Sequence, residues 1–275
     1  MNKMININAT RLRELMASKH ERDYSLIDVR QEKEYNTEHI PGAQLIPLGN
    51  LASELPKLPE DGDVIFYCRS GHRSRAAALF FEENKAFAGT IYNLQGGILD
   101  WNHLTLPDFP NLKVFSPEGG EEVVYYQAMD LERGAYHYYS EVAKRFPDAA
   151  FTPIIKRLAH AAEEYARLIY NLYTEEISGA PPFEELYASL PGEVIEGGHS
   201  LSTLRKLVDE FGEDPCVDIV ELAIGIEFSA YDLYRNMAER FEKKSNLNKT
   251  FLSIAQAEKE HMRLAASMLT LCQPT

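Results

Sequence analysis

Apolar positions come in short runs along the first hundred residues and at helical spacing along the rest. YSLIDVR, AQLIPLG and DVIFYC are apolar runs of strand length, whereas TRLRELMAS and RAAALFFEEN repeat their apolar residues every three or four positions. Strands alternating with helices predict an α/β domain, a parallel sheet flanked by helices. Pro41-Gly42, Pro56, Pro59 and Gly96-Gly97 punctuate the joins. After residue 103 the pattern breaks into LTLPDFPNLKVFSPEGG, which reads as a linker over 104–119. Beyond it, four long helices are predicted, roughly 120–146, 151–176, 215–243 and 248–271, with a short helix at 201–211.

This second half also repeats itself. AMDLERGAYHYYSEVAKR (128–145) aligns with AIGIEFSAYDLYRNMAER (223–240) at an offset of 95 residues. LAHAAEEYARL (158–168) aligns with IAQAEKEHMRL (254–264) at an offset of 96. Two copies of a helical hairpin joined by a long connection predict an all-α four-helix bundle with a crossover over 120–275.

A chain of 275 residues suits two domains. Lys and Arg number 28 against 42 Asp and Glu, a net charge of −14. Residues 1–102 hold 12 and 14 of these, and the remainder 16 and 28, so the bundle carries most of the excess. That balance argues against nucleic acid or an anionic membrane as a partner. No apolar run approaches the ~20 residues that span a bilayer, and the first residues lack a signal-peptide pattern. Cys68, Cys216 and Cys272 form no CxxC pair and no even framework, which suits a reducing compartment. The expectation is a cytoplasmic protein.

Cys68 ends an apolar strand and is followed by a polar loop, Arg69-Ser70-Gly71-His72-Arg73-Ser74, and then a helix. Loop amides and a helix N-terminus aimed at a sulfur atom stabilise a thiolate. Arg69, Arg73, Arg75 and His72 add positive charge that would draw an anionic donor. A buried strand-end cysteine acting as a small hydrophobe is the bland alternative. Phosphate-ester hydrolysis is the rival chemistry. Phosphatases that use a cysteine in a similar loop have Arg six positions after it, where this chain has Ser74; Arg73 comes one residue early.

CRSGHRS resembles the active-site loop of rhodanese domains, and other segments agree in order and spacing over about residues 4–103. They are Ile27-Asp28-Val29-Arg30, Glu34-Tyr35 leading to Glu38-His39-Ile40-Pro41-Gly42-Ala43, Val64 to Cys68, and Leu94-Gln95-Gly96-Gly97-Ile98 with Trp101. The resemblance implies an α/β rhodanese-like fold and a Cys68 persulfide cradled by the loop amides, with Asp28 and Arg30 organising the site. Asp28 and Arg30 also read as a structural pair. Small sulfur donors (thiosulfate or a polysulfide) and thiol acceptors would be the partners, and sulfur transfer would need no cofactor.

In the bundle, Glu132 and Glu227 sit alike on apolar helix faces, and Glu258 shares a third with His261 one turn on. Buried carboxylates cost several kcal/mol unless paired, protonated or metal-bound. Helix order and the repeat resemble the rubrerythrin branch of ferritin-like proteins over about residues 118–271, which implies iron, one or two ions. By that resemblance Glu132, Glu227, Glu258 and His261 match metal ligands. Ala162 and Tyr165 stand where the second Glu-x-x-His belongs, so the set is incomplete. Three readings stay open: a single metal, a helix shift recruiting Glu163 or Glu164, or a dead site whose protonated glutamates bond Tyr165, Tyr136 and Tyr231. The bundle would then handle peroxide or iron, or serve as a metal-free module beside a persulfide carrier or sensor. Pairing through helix faces implies a homodimer.

Overall fold

Five short strands, β1 (Ile5–Ile7), β2 (Tyr24–Asp28), β3 (Gln44–Leu45), β4 (Asp63–Tyr67) and β5 (Thr90–Leu94), form one parallel sheet in the order β1-β5-β4-β2-β3. The computed structural model describes residues 4–58, 60–101, 105–106, 112–116, 120–212, 215–242 and 245–272. Pro59 and most of the predicted linker lie outside the described residues, and the third long helix, predicted to 243, ends at Ala238.

Helices α1 (Ala9–Ser18), α2 (Glu32–Thr37), α3 (Leu51–Glu54) and α4 (His72–Asn84) cover both faces of the sheet. Ile65 and Tyr67 of β4 enter one core with Leu12 and Tyr35, and Val64 and Phe66 enter the other with Ala77 and Phe81. A central parallel strand buried on both sides reads as a continuous apolar run, which is why DVIFYC stood out. Strands β1 and β5 escaped the pattern because β1 is partly exposed at the sheet edge and β5 mixes Thr, Tyr and Asn with its apolar residues. AQLIPLG yields only the two residues of β3.

Helices α5 (Gly120–Arg145), α6 (Thr152–Glu176), α9 (Cys216–Ala238) and α10 (Asn246–Ser267) are the four long bundle helices. Capping chemistry marks the starts of two of them. Ser245 accepts the Asn248 amide at 3.1 Å to start α10, and a proline stands in the first turn of α6. The connection between the hairpins holds α7 (Phe183–Ser189), which the pattern did not foresee, and α8 (Leu201–Glu210). Between those two short helices the chain dips into the groove of α5 and α9. A Cβ on Gly134 of α5 would stand 2.1 Å from the Val194 carbonyl, so only glycine admits this approach.

One cysteine expectation fails. Cys216 and Cys272 form a disulfide, joining the start of α9 to the end of the described chain. Period and spacing place no contact between these two residues, 56 apart, so the pairing was invisible until the helices packed. With that bond, the cysteines no longer speak for a reducing compartment. No helix among the described residues is long and apolar enough to cross a membrane.

The two units meet through buried polar groups. Glu21 pairs with Arg235 of α9 at 3.0 Å and with Lys259 of α10, all three nearly excluded from solvent. The Tyr24 and Tyr231 hydroxyls bond Glu21 at 2.7 and 3.1 Å, and the Arg235 guanidinium donates to the Tyr24 carbonyl at 2.8 Å. Buried charges are tolerated when each has such partners.

Candidate active site and metal centre

The register of β2, β4 and β5 brings Asp28, Cys68 and Asn93 to neighbouring positions at the C-terminal ends of three adjacent strands. Open parallel sheets bind ligands at that edge. Gly71 takes φ +92, and an added Cβ would lie 3.0 Å from the Leu94 carbonyl and the Gly96 amide. Glycine alone tolerates both conditions, and it lets the loop curl back onto the sulfur.

The Gly71 amide donates to Cys68 Sγ at 3.1 Å, and Ser74 Oγ lies 3.5 Å from it. Burial alone would push the thiol up. Hydrogen bonds from the Ser74 hydroxyl and from the amides of Ser74, Ser70 and Gly71 outweigh it, so the Cys68 thiol titrates below its ordinary range. Ser74 has one hydroxyl hydrogen and two acceptors, the sulfur and Asn93 Oδ1 at 2.7 Å. Asn93 is fixed by its own bond to Asn6 at 2.9 Å, so its oxygen is the better-placed acceptor and the amides carry most of the cradle.

Asp28 and Arg30 are buried and bonded through four contacts, the shortest 2.6 Å, while Arg30 also donates to the Glu38 carbonyl at 2.7 Å. Their geometry is that of a structural pair beneath the loop. Arg69, His72 and Arg75 are exposed, and Ser70 meets His72 at 3.1 Å. Arg73, expected among the free charges, is instead held by both oxygens of Glu34 at 2.7 Å each. That bidentate bond holds the Glu34 carboxyl down to about 2. Sequence spacing does not link residues 34 and 73, so this neutralisation was not foreseen.

In the bundle, Glu132, Glu227 and Glu258 are buried as predicted. His261 Nδ1 stands 3.2 Å from Glu227 and 3.3 Å from Glu258, and the donor atoms of these three residues lie within 4.8 Å of one another. Sequence reasoning missed a fourth carboxylate. Glu196, on the dipping crossover, is buried and meets the Glu132 carboxyl. The signal was available only as GEVIEGGHS, a glycine-rich turn with no helical period to reveal which side chain turns inward.

Two tyrosines on the inner stripe differ from expectation. Tyr139 of α5 donates to Glu227, and Tyr234 of α9 donates to Glu132 at 2.7 Å, a reciprocal pair that follows the internal repeat. Tyr231, expected at the glutamates, faces the α/β domain instead. Tyr165 lies with its ring 5.3 Å from that of His261, and Glu164 and His160 are exposed.

Without metal the cluster balances itself. Burial disfavours a charged His261, but Glu258 and Glu227 outweigh it and push the imidazole up to about 11. Burial and the neighbouring Glu258 push Glu132 up to about 8, and burial raises Glu196 and Glu258 well above the carboxylate range. Burial would raise Glu227 too, but its bond to His261 holds it low. A two-iron centre with Glu-x-x-His on each of two helices does not fit, because α6 offers Ala162 and Tyr165. One ion among Glu227, Glu258 and His261 does fit the donor set.

Comparison with known proteins agrees with this division. Residues 8–104 match the rhodanese-like domain family and residues 218–274 the rubrerythrin family. A sulfurtransferase of Allochromatium vinosum is 34% identical over 97 residues, 35% of this chain and 83% of that protein. A probable adenylyltransferase/sulfurtransferase of Mycobacterium tuberculosis, MoeZ, is 44% identical over 89 residues, but the match spans only 22% of its length and 32% of this chain. A crystal structure of a rhodanese-like domain protein from Staphylococcus aureus aligns over 38% of this chain and 99% of its own, at 23% identity and a TM-score of 0.35. The chain belongs to the rhodanese-like sulfurtransferase family through its α/β domain and carries a rubrerythrin-family segment in its helical bundle.

Proposed function

We propose that the α/β domain moves sulfane sulfur through a persulfide on Cys68, taking it from thiosulfate or a polysulfide and giving it to a thiol or cyanide. The Cys68 thiolate attacks the donor's outer sulfur. A new S–S bond forms, the donor's own sulfur–sulfur bond breaks, and with thiosulfate, sulfite leaves with the electron pair. An acceptor nucleophile then attacks the outer sulfur of the persulfide and the Cys68 thiolate departs, so the cycle closes without an external oxidant or reductant. The observation that carries this reading is the Gly71 amide 3.1 Å from a buried sulfur, in a loop whose hydrogen bonds lower the thiol. Exposed Arg69, His72 and Arg75 supply the positive rim for an anionic donor. Cys68→Ser is expected to reduce cyanide-trapped thiocyanate formation from thiosulfate to background; unchanged turnover would end the assignment.

The bundle reading is that one iron ion, rather than two, binds Glu227, Glu258 and His261, with Glu132 and Glu196 beside them. Iron there would supply redox or peroxide chemistry. The protein's own contribution is the ligand set and a buried interior, with Tyr139 and Tyr234 fixing the carboxylates. Anaerobic loading of the full chain with ferrous iron, followed by elemental analysis, is expected to give about one ion per chain, lost in Glu258→Ala. Two ions, or none, would overturn it. Dimerisation through bundle helix faces belongs to the same reading and is checked by sedimentation.

A further inference from the structure

A carboxylate of the bundle, Asp232, is bonded to the α/β domain. Asp232 lies on a different face of α9 from Glu227, five residues along the helix, and is 1% exposed. Its Oδ1 accepts the Gly42 amide at 2.6 Å and Asn236 Nδ2 at 3.2 Å, and its Oδ2 meets His39 Nε2 at 3.1 Å. His39 is wholly buried, and among the described residues its Nδ1 has no partner; a carboxylate accepts, so Nε2 carries the hydrogen given to Asp232. Among the described residues, no group of the α/β domain bonds either the Gly42 amide or that ring nitrogen.

From the clamped segment, residues 38–43, two short routes lead to the sulfur. In the first, the His39 ring stacks on Tyr35 of α2 at 3.9 Å and 8°, and Tyr35 ties back to the Ala43 carbonyl at 2.8 Å. Tyr35 adjoins Glu34, whose carboxylate grips Arg73 in the first turn of α4 at 2.7 Å. In the second, the Glu38 carbonyl accepts from Arg30 at 2.7 Å, and the Ile40 amide donates to the Tyr67 hydroxyl at 3.2 Å. Arg30 is locked to Asp28, and Tyr67 is the residue before Cys68. The first route ends on Arg73, between Gly71 and Ser74, and the second on Tyr67, the residue before the sulfur.

We propose that Asp232 is a positioning residue for sulfur transfer: by clamping residues 38–43 from the bundle side, it fixes α2 and the Asp28–Arg30 pair and, through them, the Cys68 cradle. This rests on the sulfur-transfer reading above. It also gives the bundle a part in that chemistry that needs no metal. A buried carboxylate with acceptor sites for two donors from the other domain is costly to desolvate, and its removal leaves a buried amide and a buried ring N–H without partners.

The test uses the full chain. Thiosulfate–cyanide turnover and the pH profile of Cys68 alkylation by iodoacetamide are measured for the wild type, Asp232→Ala, Asp232→Asn and Gln256→Ala. Gln256 accepts the Glu21 amide at 3.1 Å elsewhere in the same interface, so its loss weakens docking without touching residues 38–43. Misplacing a reacting group by about 1 Å can cost on the order of 100-fold. The expectation is therefore a fall in kcat of about tenfold or more in Asp232→Ala at a little-changed KM. The alkylation profile should move to higher pH, Asp232→Asn should recover part of both losses, and Gln256→Ala should behave as wild type. Unchanged kcat and alkylation in Asp232→Ala would overturn the proposal, and so would an equal loss in Gln256→Ala. Should thermal melting show that Asp232→Ala does not fold, Asp232→Asn against Gln256→Ala decides by the same criteria. A wild type without turnover would instead overturn the sulfur-transfer reading, while the alkylation profiles would still report on Asp232.

Discussion

The Cys68 loop and the carboxylate cluster of the bundle each gather polar groups around a buried point, by opposite means. Backbone amides of residues 70, 71 and 74 make most of the loop's cradle, so it is contiguous and depends on one turn being formed. Side chains from α5, α9, α10 and the crossover make the cluster, up to 129 residues apart between Glu132 and His261. A site built from backbone survives wherever its turn survives. One built from side chains depends on each member separately, and here four elements must supply Glu132, Glu196, Glu227, Glu258 and His261.

That contrast is open to attack at both ends. Glu227→Ala in the metal-free protein removes one of the two carboxylates that face His261 and leaves the buried Tyr139 hydroxyl without its acceptor. The expected loss of stability is ~3–5 kcal/mol by denaturant unfolding, with no direct effect on the Cys68 loop. Gly71→Ala forces a side chain into a left-handed conformation against backbone atoms 3.0 Å away. It should cost ~1–3 kcal/mol in stability and disable transfer far more than that loss explains. Ser74→Ala should raise the Cys68 thiol toward its ordinary range, so alkylation at neutral pH slows by about threefold to tenfold, a small change because the amides remain. Comparable losses of transfer in Ser74→Ala and Gly71→Ala would mean that the cradle is not chiefly backbone.

The smallest effect concerns acid. Glu34 in the folded protein is held down to about 2, below its unfolded value, so its bond to Arg73 stabilises above the unfolded pKa and is lost as pH falls toward 2. The pair is about a third exposed, which screens it, and Glu34→Gln should cost ~1 kcal/mol or less at neutral pH. A variant whose acid unfolding curve overlays the wild type would remove Glu34 from this account.

What the sequence disclosed follows the same division. DVIFYC and CRSGHRS announce a strand, a nucleophile and a helix start because all the parts are adjacent in the chain. The four long helices were legible because 3.6-residue spacing and caps are local too, and Glu132, Glu227 and Glu258 turn inward as that spacing requires. Glu196 was not legible, since a turn has no period. Neither was the Glu34–Arg73 bond, the direction of Tyr231, or the interface of Glu21, Arg235 and Lys259. Each depends on how separate elements pack. The Cys216–Cys272 bond belongs with these, and the unpaired-thiol argument failed for that reason.

That bond has a mechanical consequence. It closes residues 216–272 into a covalent ring containing both α9 and α10. Tension applied at Cys272 therefore passes directly to the first residue of α9, and α10 bears none of it. Stretching the chain from its two ends would peel away α5, α6 and the crossover while the ring paid out no length. The helices that carry Glu227, Asp232, Glu258 and His261 would not be drawn out while the bond holds.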